Sequence, residues 1–323
     1  MCRCIAGARP RQRRNPKPSM RDNRFRIGTR GSRLAIAQAK LVADFLNVDA
    51  GVESELVQFV TRGDRASGPL TQIGGKGLFT DELEQALRQG AIDLAVHSAK
   101  DLPAIIAPDA IIVAVPRRED PRDAIISPNA RSIETLPPAA TVGTSSHRRS
   151  SQALAIRNDL NILPLRGNVD TRIDKVLRER SLDSAILAMA GLKRAGLYEP
   201  HSSHITPLDI DGFIPSAGQG ALALQAWKGN GRAIELAGRL DHESSHQALD
   251  AERSVLVGMN ADCRSSIAVH VTQLDAQWVA RAMVARPDAS AMIRRTVTAS
   301  SAVTAAEDLL KMLVRSGARE LLA

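Results

Sequence analysis

From Phe25 onward the chain alternates short apolar strands with amphipathic helices, and it does so twice, with a break at Pro116. That alternation constrains the fold more than any other feature. A strand–helix repeat buries both kinds of element only when helices cover a sheet on both faces. In the first half, 25–29 reads as a strand and 33–46 as a helix, with Leu34, Ala37, Leu41 and Phe45 on one stripe and Ser32 as its N-cap. Residues 55–60, 91–96 and 111–115 read as strands, and 80–89 as a helix with Asp81 and Glu82 in its first turn. The second half repeats the scheme, with strands at 124–127, 162–165 and 184–189 and a helix led in by 142–146. The last third changes style. Residues 267–272, 277–285 and 294–299 form a meander closed by a helix from about 304, carrying Leu309, Leu310, Leu313, Val314 and Leu321.

The formal net charge of +8 suggests a nucleic-acid partner at first sight. Its placement argues otherwise. Arg3, Arg9, Arg11, Arg13, Arg14, Lys17, Arg21 and Arg24 lie in a leader, 1–24, against the single acid Asp22, so the body is close to neutral. The leader is rich in proline and lacks an apolar h-region, unlike a secretory signal. It is expected to be a disordered basic arm, or an over-long start with Met20 as initiator. Base stacking also needs aromatic platforms, and the chain has two Trp, one Tyr and five Phe. No apolar run approaches the roughly 18 residues of a membrane span. With Cys2 and Cys4 in the leader, Cys263 is the one thiol of the body, and the expected compartment is the reducing cytoplasm.

Polar residues gather where strands end and helices begin: Arg30 and Ser32, Lys76, Lys100 and Asp101, Ser145 with Arg148 and Arg149, Arg166 with Arg172, and Arg194. In an open parallel sheet those ends converge on one crevice. Helix N-termini there favour anions, and the guanidinium fork matches carboxylate or phosphate. The expected ligand is polyanionic, and without a Walker or GxGxxG motif it is not nucleotide phosphate. Singly, each arginine reads equally as a solvated surface charge. Asp101, directly after a buried strand, either caps a turn before Pro103 or stabilises a cation and shuttles a proton. Cys263 is either an inert thiol or a nucleophile or tether. His242 and His246, and His201 and His204, lack a third ligand nearby, so no metal is expected.

The polar clusters sit within longer motifs: IGTRGSRLA at 27–35, VTRGD at 60–64, GGKGLFTDELEQAL at 74–87, DLAVHSAKDLP at 93–103, REDPRDA at 118–124 and VGTSSHRR at 142–149. LRGNVDTR at 165–172, ILAMAGLKRAGL at 186–197, IPSAGQGALALQ at 214–225 and AERSVL at 251–256 follow in order. From Phe25 to the end, the chain resembles the porphobilinogen deaminase (hydroxymethylbilane synthase) family. The resemblance implies condensation of four porphobilinogen units head to tail, each losing ammonia, into 1-hydroxymethylbilane on a dipyrromethane cofactor joined by a thioether to Cys263. It implies carboxylate binding by Arg30, Ser32, Lys76, Lys100, Ser145, Arg148, Arg149, Arg166, Arg172 and Arg194. Asp101 takes the place of the catalytic aspartate, beside the pyrrole nitrogens, where it stabilises the azafulvene cation. Phe79 either packs against a pyrrole ring or belongs to ordinary core.

The expected fold is α/β: two doubly wound, periplasmic-binding-protein-like domains flanking a cleft, plus a small C-terminal α+β domain with a three-stranded antiparallel sheet. The domains are expected at 25–116 with about 218–238, at 117–217, and at 243–323, the third bearing the cofactor-anchoring loop. A monomer is implied, with a small-molecule substrate and neither nucleic acid nor membrane as partner. One segment departs from the family pattern. Where that pattern reads GGCQxP, this chain has Ala261-Asp262-Cys263-Arg264-Ser265-Ser266. The alternative is therefore a catalytically degenerate, two-lobed binding homologue.

Overall fold

The computed structural model describes residues 24–65, 77–262 and 265–322. Its strands, in chain order, are β1 (Phe25–Arg30), β2 (Ser54–Phe59), β3 (Leu94–Ser98), β4 (Ala110–Ala114), β5 (Asp123–Ile126), β6 (Thr141–Gly143) and β7 (Asn161–Leu163). Then come β8 (Ser184–Ala188), β9 (Ile205–Pro207), β10 (Leu222–Trp227), β11 (Ile267–Leu274), β12 (Gln277–Ala285) and β13 (Met292–Ala299). The helices longer than one turn are α1 (Arg33–Asp49), α2 (Asp81–Arg88), α3 (His147–Ile156), α4 (Val169–Leu177), α5 (Met189–Arg194), α6 (Gly231–Gly238), α7 (Glu243–Gly258) and α8 (Ala302–Arg315). Among the described residues no helix is long and apolar enough to cross a membrane.

Two five-stranded sheets run β2-β1-β3-β10-β4 and β7-β6-β8-β5-β9, and a third runs β11-β12-β13. The large sheets are mixed rather than purely parallel. Strand β10 is antiparallel to β3 and β4, and β5 is antiparallel to β8 and β9. Both reversed strands follow a crossing between the lobes, at 115–122 and 208–221. The chain arrives from the cleft side, so β10 begins with Leu222 opposite Ser98, the last residue of β3. A strand that starts at the end where its neighbours finish must run against them.

Alternation along the strands supplies both faces of each large sheet with apolar side chains. Leu94 and Val96 of β3 meet α1 and α6 through Val42, Leu46 and Leu236, while Ala95 faces α2 through Leu83 and Leu87. Ala124 and Ile126 of β5 pack with Ile173 of α4, whereas Ile125 points to the opposite face with Ala153 of α3. Strand β12 buries Trp278, Ala280, Ala282 and Val284 against α7 and α8, and turns Met283 and Ala285 toward Ile214 of the second crossing.

One buried carboxylate ties these units together. Glu252 of α7 is fully buried and accepts from Arg118 of the first crossing at 2.6 and 3.2 Å. It also accepts from the Gly218 amide of the second crossing at 2.6 Å and from the Val271 amide of β11 at 2.8 Å. His270 Nδ1 lies 3.3 Å from the same carboxylate, off the axis of a hydrogen bond. Burial pushes the Glu252 carboxyl up, but the Arg118 charge, with His270, outweighs it and holds the group below the usual range. Its stabilisation is therefore complete above the ordinary carboxylate range and is lost as pH falls through the lowered value. Glu252→Ala strands Arg118 and two amides, and is expected to cost about 3–5 kcal/mol in urea unfolding at neutral pH; an unchanged urea midpoint would contradict this role.

Candidate functional site

The carboxyl ends of β1 and β3 form one wall of a cleft. Ser32 accepts from the Ala35 amide at 3.2 Å and so caps α1, aiming that helix's positive end outward. One turn on, buried Gln38 donates to Ser98 Oγ at 2.9 Å. Arg30 leaves the end of β1 and is gripped by Asp64, with Nε donating at 3.3 Å. Its guanidinium stacks 4.2 Å above the Phe79 ring, and NH1 stands 3.9 Å from Asp101 Oδ2. Burial would raise the Asp64 carboxyl, but hydrogen bonds from Arg30 and Thr61 hold it low. A small cavity of about 50 Å³ opens among Arg30, Ser32, Gln38, Phe79, His97 and Asp101. Buried His97 bonds Gln225 at 3.0 Å, and burial pushes its imidazole down to about 4, so it is neutral near pH 7.

The opposite wall is organised around Asp123, the first residue of β5, whose carboxylate is fully buried. Arg148 NH1 donates to it at 2.7 Å and Arg149 Nε at 2.9 Å. Both guanidiniums are themselves buried; Arg148 also donates to the Ile214 carbonyl at 2.8 Å and Arg149 to the Ile186 carbonyl at 3.0 Å. Gln219 completes the cluster, donating to Asp123 at 3.1 Å and to the Pro121 carbonyl at 2.8 Å while accepting from Lys100 Nζ at 3.3 Å. It occupies that spot because Gly218 and Gly220 flank it at φ +71° and +87°. A Cβ on Gly218 would come within 2.8 Å of the Ala99–Lys100 backbone, and one on Gly220 would strike the Glu119 carbonyl. The SAGQG motif thus joins the two walls.

Asp123 carries one charge against two guanidiniums, so positive charge is left over. Burial opposes the ionised Asp123 carboxyl, yet Arg148 and Arg149 hold it well below the usual range. Enclosure by the walls, followed by the Arg149 charge, pushes the Lys100 ammonium down to about 8, against the pull of Asp101 and Asp123. The Lys100 side chain keeps contact with cleft water, and the Arg149 and Arg148 charges disfavour its ammonium there. Arg172 is likewise lowered, by enclosure and then by Arg149 and Arg166. It donates to the Gly167 carbonyl at 2.8 Å, and Arg166 makes no hydrogen bond or ion pair among the described residues. Exposed Ser145 exchanges hydrogen bonds with the Leu165 carbonyl and amide, both at 3.0 Å, and so clips the loops after β6 and β7 together. Arg194 stands to one side, its NH2 on the Gly220 carbonyl at 2.8 Å, and burial lowers it to about 10.

Of the residues singled out in the sequence, Lys76 and Cys263 lie outside the described residues, as do Cys2 and Cys4. Arg148 and Arg149, expected to bind ligand carboxylates, are both engaged by the carboxylate of Asp123. Four residues that shape the site were overlooked: Asp64, Gln38, Asp123 and Gln219. Three lay in view within quoted motifs, VTRGD, REDPRDA and SAGQG, but their partners are distant in sequence. His242 bonds Ser245 and His246 bonds Asp241, and no metal-binding cluster occurs among the described residues. A larger groove of about 690 Å³ lies between the crossings and the third sheet, lined by Glu119, Asp120, Asp209, Asp211, Asp275 and Arg281 among others. It shares no lining residue with the small cavity at Asp101, and its acidic rim does not suit a polyanion.

A family model described as "Porphobilinogen deaminase, dipyromethane cofactor binding domain" matches residues 25–235. The chain belongs to the porphobilinogen deaminase family. It is 41% identical over 308 residues to the porphobilinogen deaminase of Syntrophotalea carbinolica, covering 94% of this chain and 96% of that protein. It is 42% identical over 306 residues to that of Nitratidesulfovibrio vulgaris, covering 92% and 95%. With that of Roseiflexus castenholzii it shares 44% identity over 244 residues, 75% of this chain and 79% of the relative. Among solved structures, a periplasmic substrate-binding protein of an ABC transporter from Coxiella burnetii aligns at TM-score 0.42 and 13% identity over 67% of this chain and 91% of its own.

The uncompensated charge around Lys100 has a measurable consequence. Because the folded chain disfavours its ammonium, Lys100 detracts from stability below about pH 8, and that penalty fades as pH rises from 8 toward the ordinary lysine value of 10.5. Nζ-detected NMR is expected to find Lys100 titrating near 8 in the free chain and higher once a polycarboxylate occupies the cleft. A titration near 10.5 in the free chain would mean that the guanidinium field does not reach it.

Proposed function

We propose that this chain is a hydroxymethylbilane synthase. It joins four porphobilinogen molecules head to tail, with loss of one ammonia each, on a dipyrromethane primer held through a thioether to Cys263. The observation that carries this reading is the surplus of cationic groups, Lys100, Arg148, Arg149, Arg166 and Arg172, over two carboxylates, Asp101 and Asp123. Each pyrrole of primer and substrate bears two carboxylates, and the donor set fits such a ligand in kind and sign. The dipyrromethane, when bound, supplies the nucleophilic terminal ring on which the chain grows. It would be held by Arg149, Arg166, Arg172 and Lys100, with Lys76, Ser145 and Arg194 in support and Arg148 fixing Asp123 behind them.

The chain's own residues divide the remaining work. Arg30 and Ser32 bind and orient the incoming ring's carboxylate side chains at the end of α1, with Gln38 held on Ser98 behind them and Phe79 as the apolar floor beneath Arg30. Asp101 projects into the same space, where its charge stabilises the cationic ring left as the carbon–nitrogen bond breaks. Arg30 holds the Asp101 carboxylate from one side and Asp64 holds Arg30 from the other, so Asp101 need not reorganise as positive charge develops. Neutral His97 anchors the strand end behind Asp101 without adding to the positive field. We further place the enzyme in the cytoplasm as a monomer, with units at 25–116 plus about 218–238, 117–217 and 243–323.

The test is turnover of porphobilinogen, read as released ammonia and as porphyrin after oxidation of the linear product. Asp101→Ala is expected to bind porphobilinogen with little change in affinity and to lose about 100-fold in kcat. A kcat within a few-fold of the unmodified chain would remove Asp101 from the chemistry, and absence of turnover in the unmodified chain would overturn the proposed activity.

A further inference from the structure

The segment around Cys263 is held at both ends by contacts to different parts of the fold. At its start, Ala261 packs into the core shared by α7, α8 and the third sheet. The Asp262 carboxylate accepts from the Ser265 amide at 3.1 Å and from its hydroxyl at 3.2 Å, while the Asp262 amide donates to Ser265 Oγ at 3.0 Å. Two residues, 263 and 264, are bracketed by this pair. At its end, the Ser266 carbonyl accepts from the Ala285 amide at 3.0 Å, which makes the backbone of Ser266 part of the third sheet.

The Ser266 side chain points elsewhere. Its hydroxyl lies 2.7 Å from Ser151 Oγ and 3.3 Å from the His147 carbonyl, both on α3 of the second lobe. Ser151 Oγ in turn reaches the Arg148 carbonyl at 3.3 Å. Both serines are buried, Ser266 at 3% exposure and Ser151 at 0%. Two hydroxyls and two carbonyls form a closed set in which either serine donates to the other and the second proton goes to a carbonyl. Removing one hydroxyl leaves the other short of a partner in a place that water does not reach. Helix α3 is also the element that carries Arg148 and Arg149 against Asp123.

We infer that the Ser151–Ser266 pair is a latch that ties the start of the third sheet to α3, and that cofactor attachment at Cys263, three residues earlier in the sequence, depends on it. This inference rests on the activity proposed above, because only a chain that loads a primer at Cys263 has use for such a latch. Ser266 is three residues from Cys263, a chain span of at most about 11 Å. Both serines act through the loop and are positioning residues.

The experiment follows the full-length chain, produced in cells that make no porphobilinogen, by intact mass after porphobilinogen is added. Hydrogen exchange of the peptide covering 259–267 is measured in parallel. Ser151→Ala and Ser266→Ala are each expected to slow the gain of two-pyrrole mass about five-fold and to raise loop exchange about five-fold. The double variant is expected to be no slower than either single one, because the two hydroxyls make one shared contact. Once loaded, all variants are expected to turn over within two-fold of the unmodified chain. Ser151→Ala changes a helix remote in sequence from the loop, so a loading defect there reports the contact and not the local turn. Loading and loop exchange at unmodified rates in both single variants would overturn the latch while leaving the activity standing. An unmodified chain that gains no mass at Cys263 would overturn the proposed activity and the latch together.

Discussion

The buried Asp123 carboxylate is the point on which the cleft depends. It receives Arg148, Arg149 and Gln219 at once, and each brings a different part of the chain to the start of β5. The arginines fix the first turn of α3, and Gln219 fixes the crossing that returns to the first lobe. A buried ion cluster of this kind contributes little net stability compared with apolar packing, because desolvation offsets most of the attraction. Its consequence is electrostatic. One carboxylate cannot neutralise two guanidiniums, so a positive field persists at the cleft floor and is felt by Lys100 and Arg172. The protein has already met the cost of assembling that field on folding, and an anionic ligand gains from it without further reorganisation.

Glu252 plays the corresponding part behind the cleft. Where Asp123 gathers cations for function, Glu252 gathers the two crossings and the third sheet for architecture. The lobes otherwise touch through small contacts, such as Arg33 with Asp170 at 3.8 Å and Lys100 with Gln219 at 3.3 Å. The crossings set the relation of one lobe to the other, and the glycines at 218 and 220 allow the return crossing to pass close behind Lys100.

Much of this was legible in the sequence. Period-2 and period-3.6 patterning placed most of the strands and helices of both halves and the closing meander, because burial on a sheet or helix face is a local rule. The convergence of Arg30, Lys100, Asp101, Arg149 and Arg172 followed from one topological principle, that ligands gather at strand ends. What escaped was everything that depends on who meets whom. Strand β5 looked like any other strand and β10 was not among the expected strands; the reversal of both came from the route between lobes. Arg148 and Arg149 appeared as carboxylate-binding cations, but their engagement by Asp123 was hidden because a sequence displays a charge but not its partner. Gln219 and Glu252 carry no periodic signal; their roles come from neighbours in other elements, such as Asp123 for Gln219 and Arg118 for Glu252. The loop at 261–266 was visibly unlike GGCQxP, but the side-chain bonds of Asp262, Ser265 and Ser266 that brace it became apparent only in three dimensions.

The central claim is that the cationic cleft holds a dipyrromethane tethered to Cys263. Intact-protein mass spectrometry of the chain purified from cells that make porphobilinogen, with peptide mapping across 259–267, tests it most directly. A mass excess of two linked pyrrole units, carried by the peptide that contains Cys263, is expected. A chain of unmodified mass, with a free thiol at Cys263 after exposure to porphobilinogen, would contradict it.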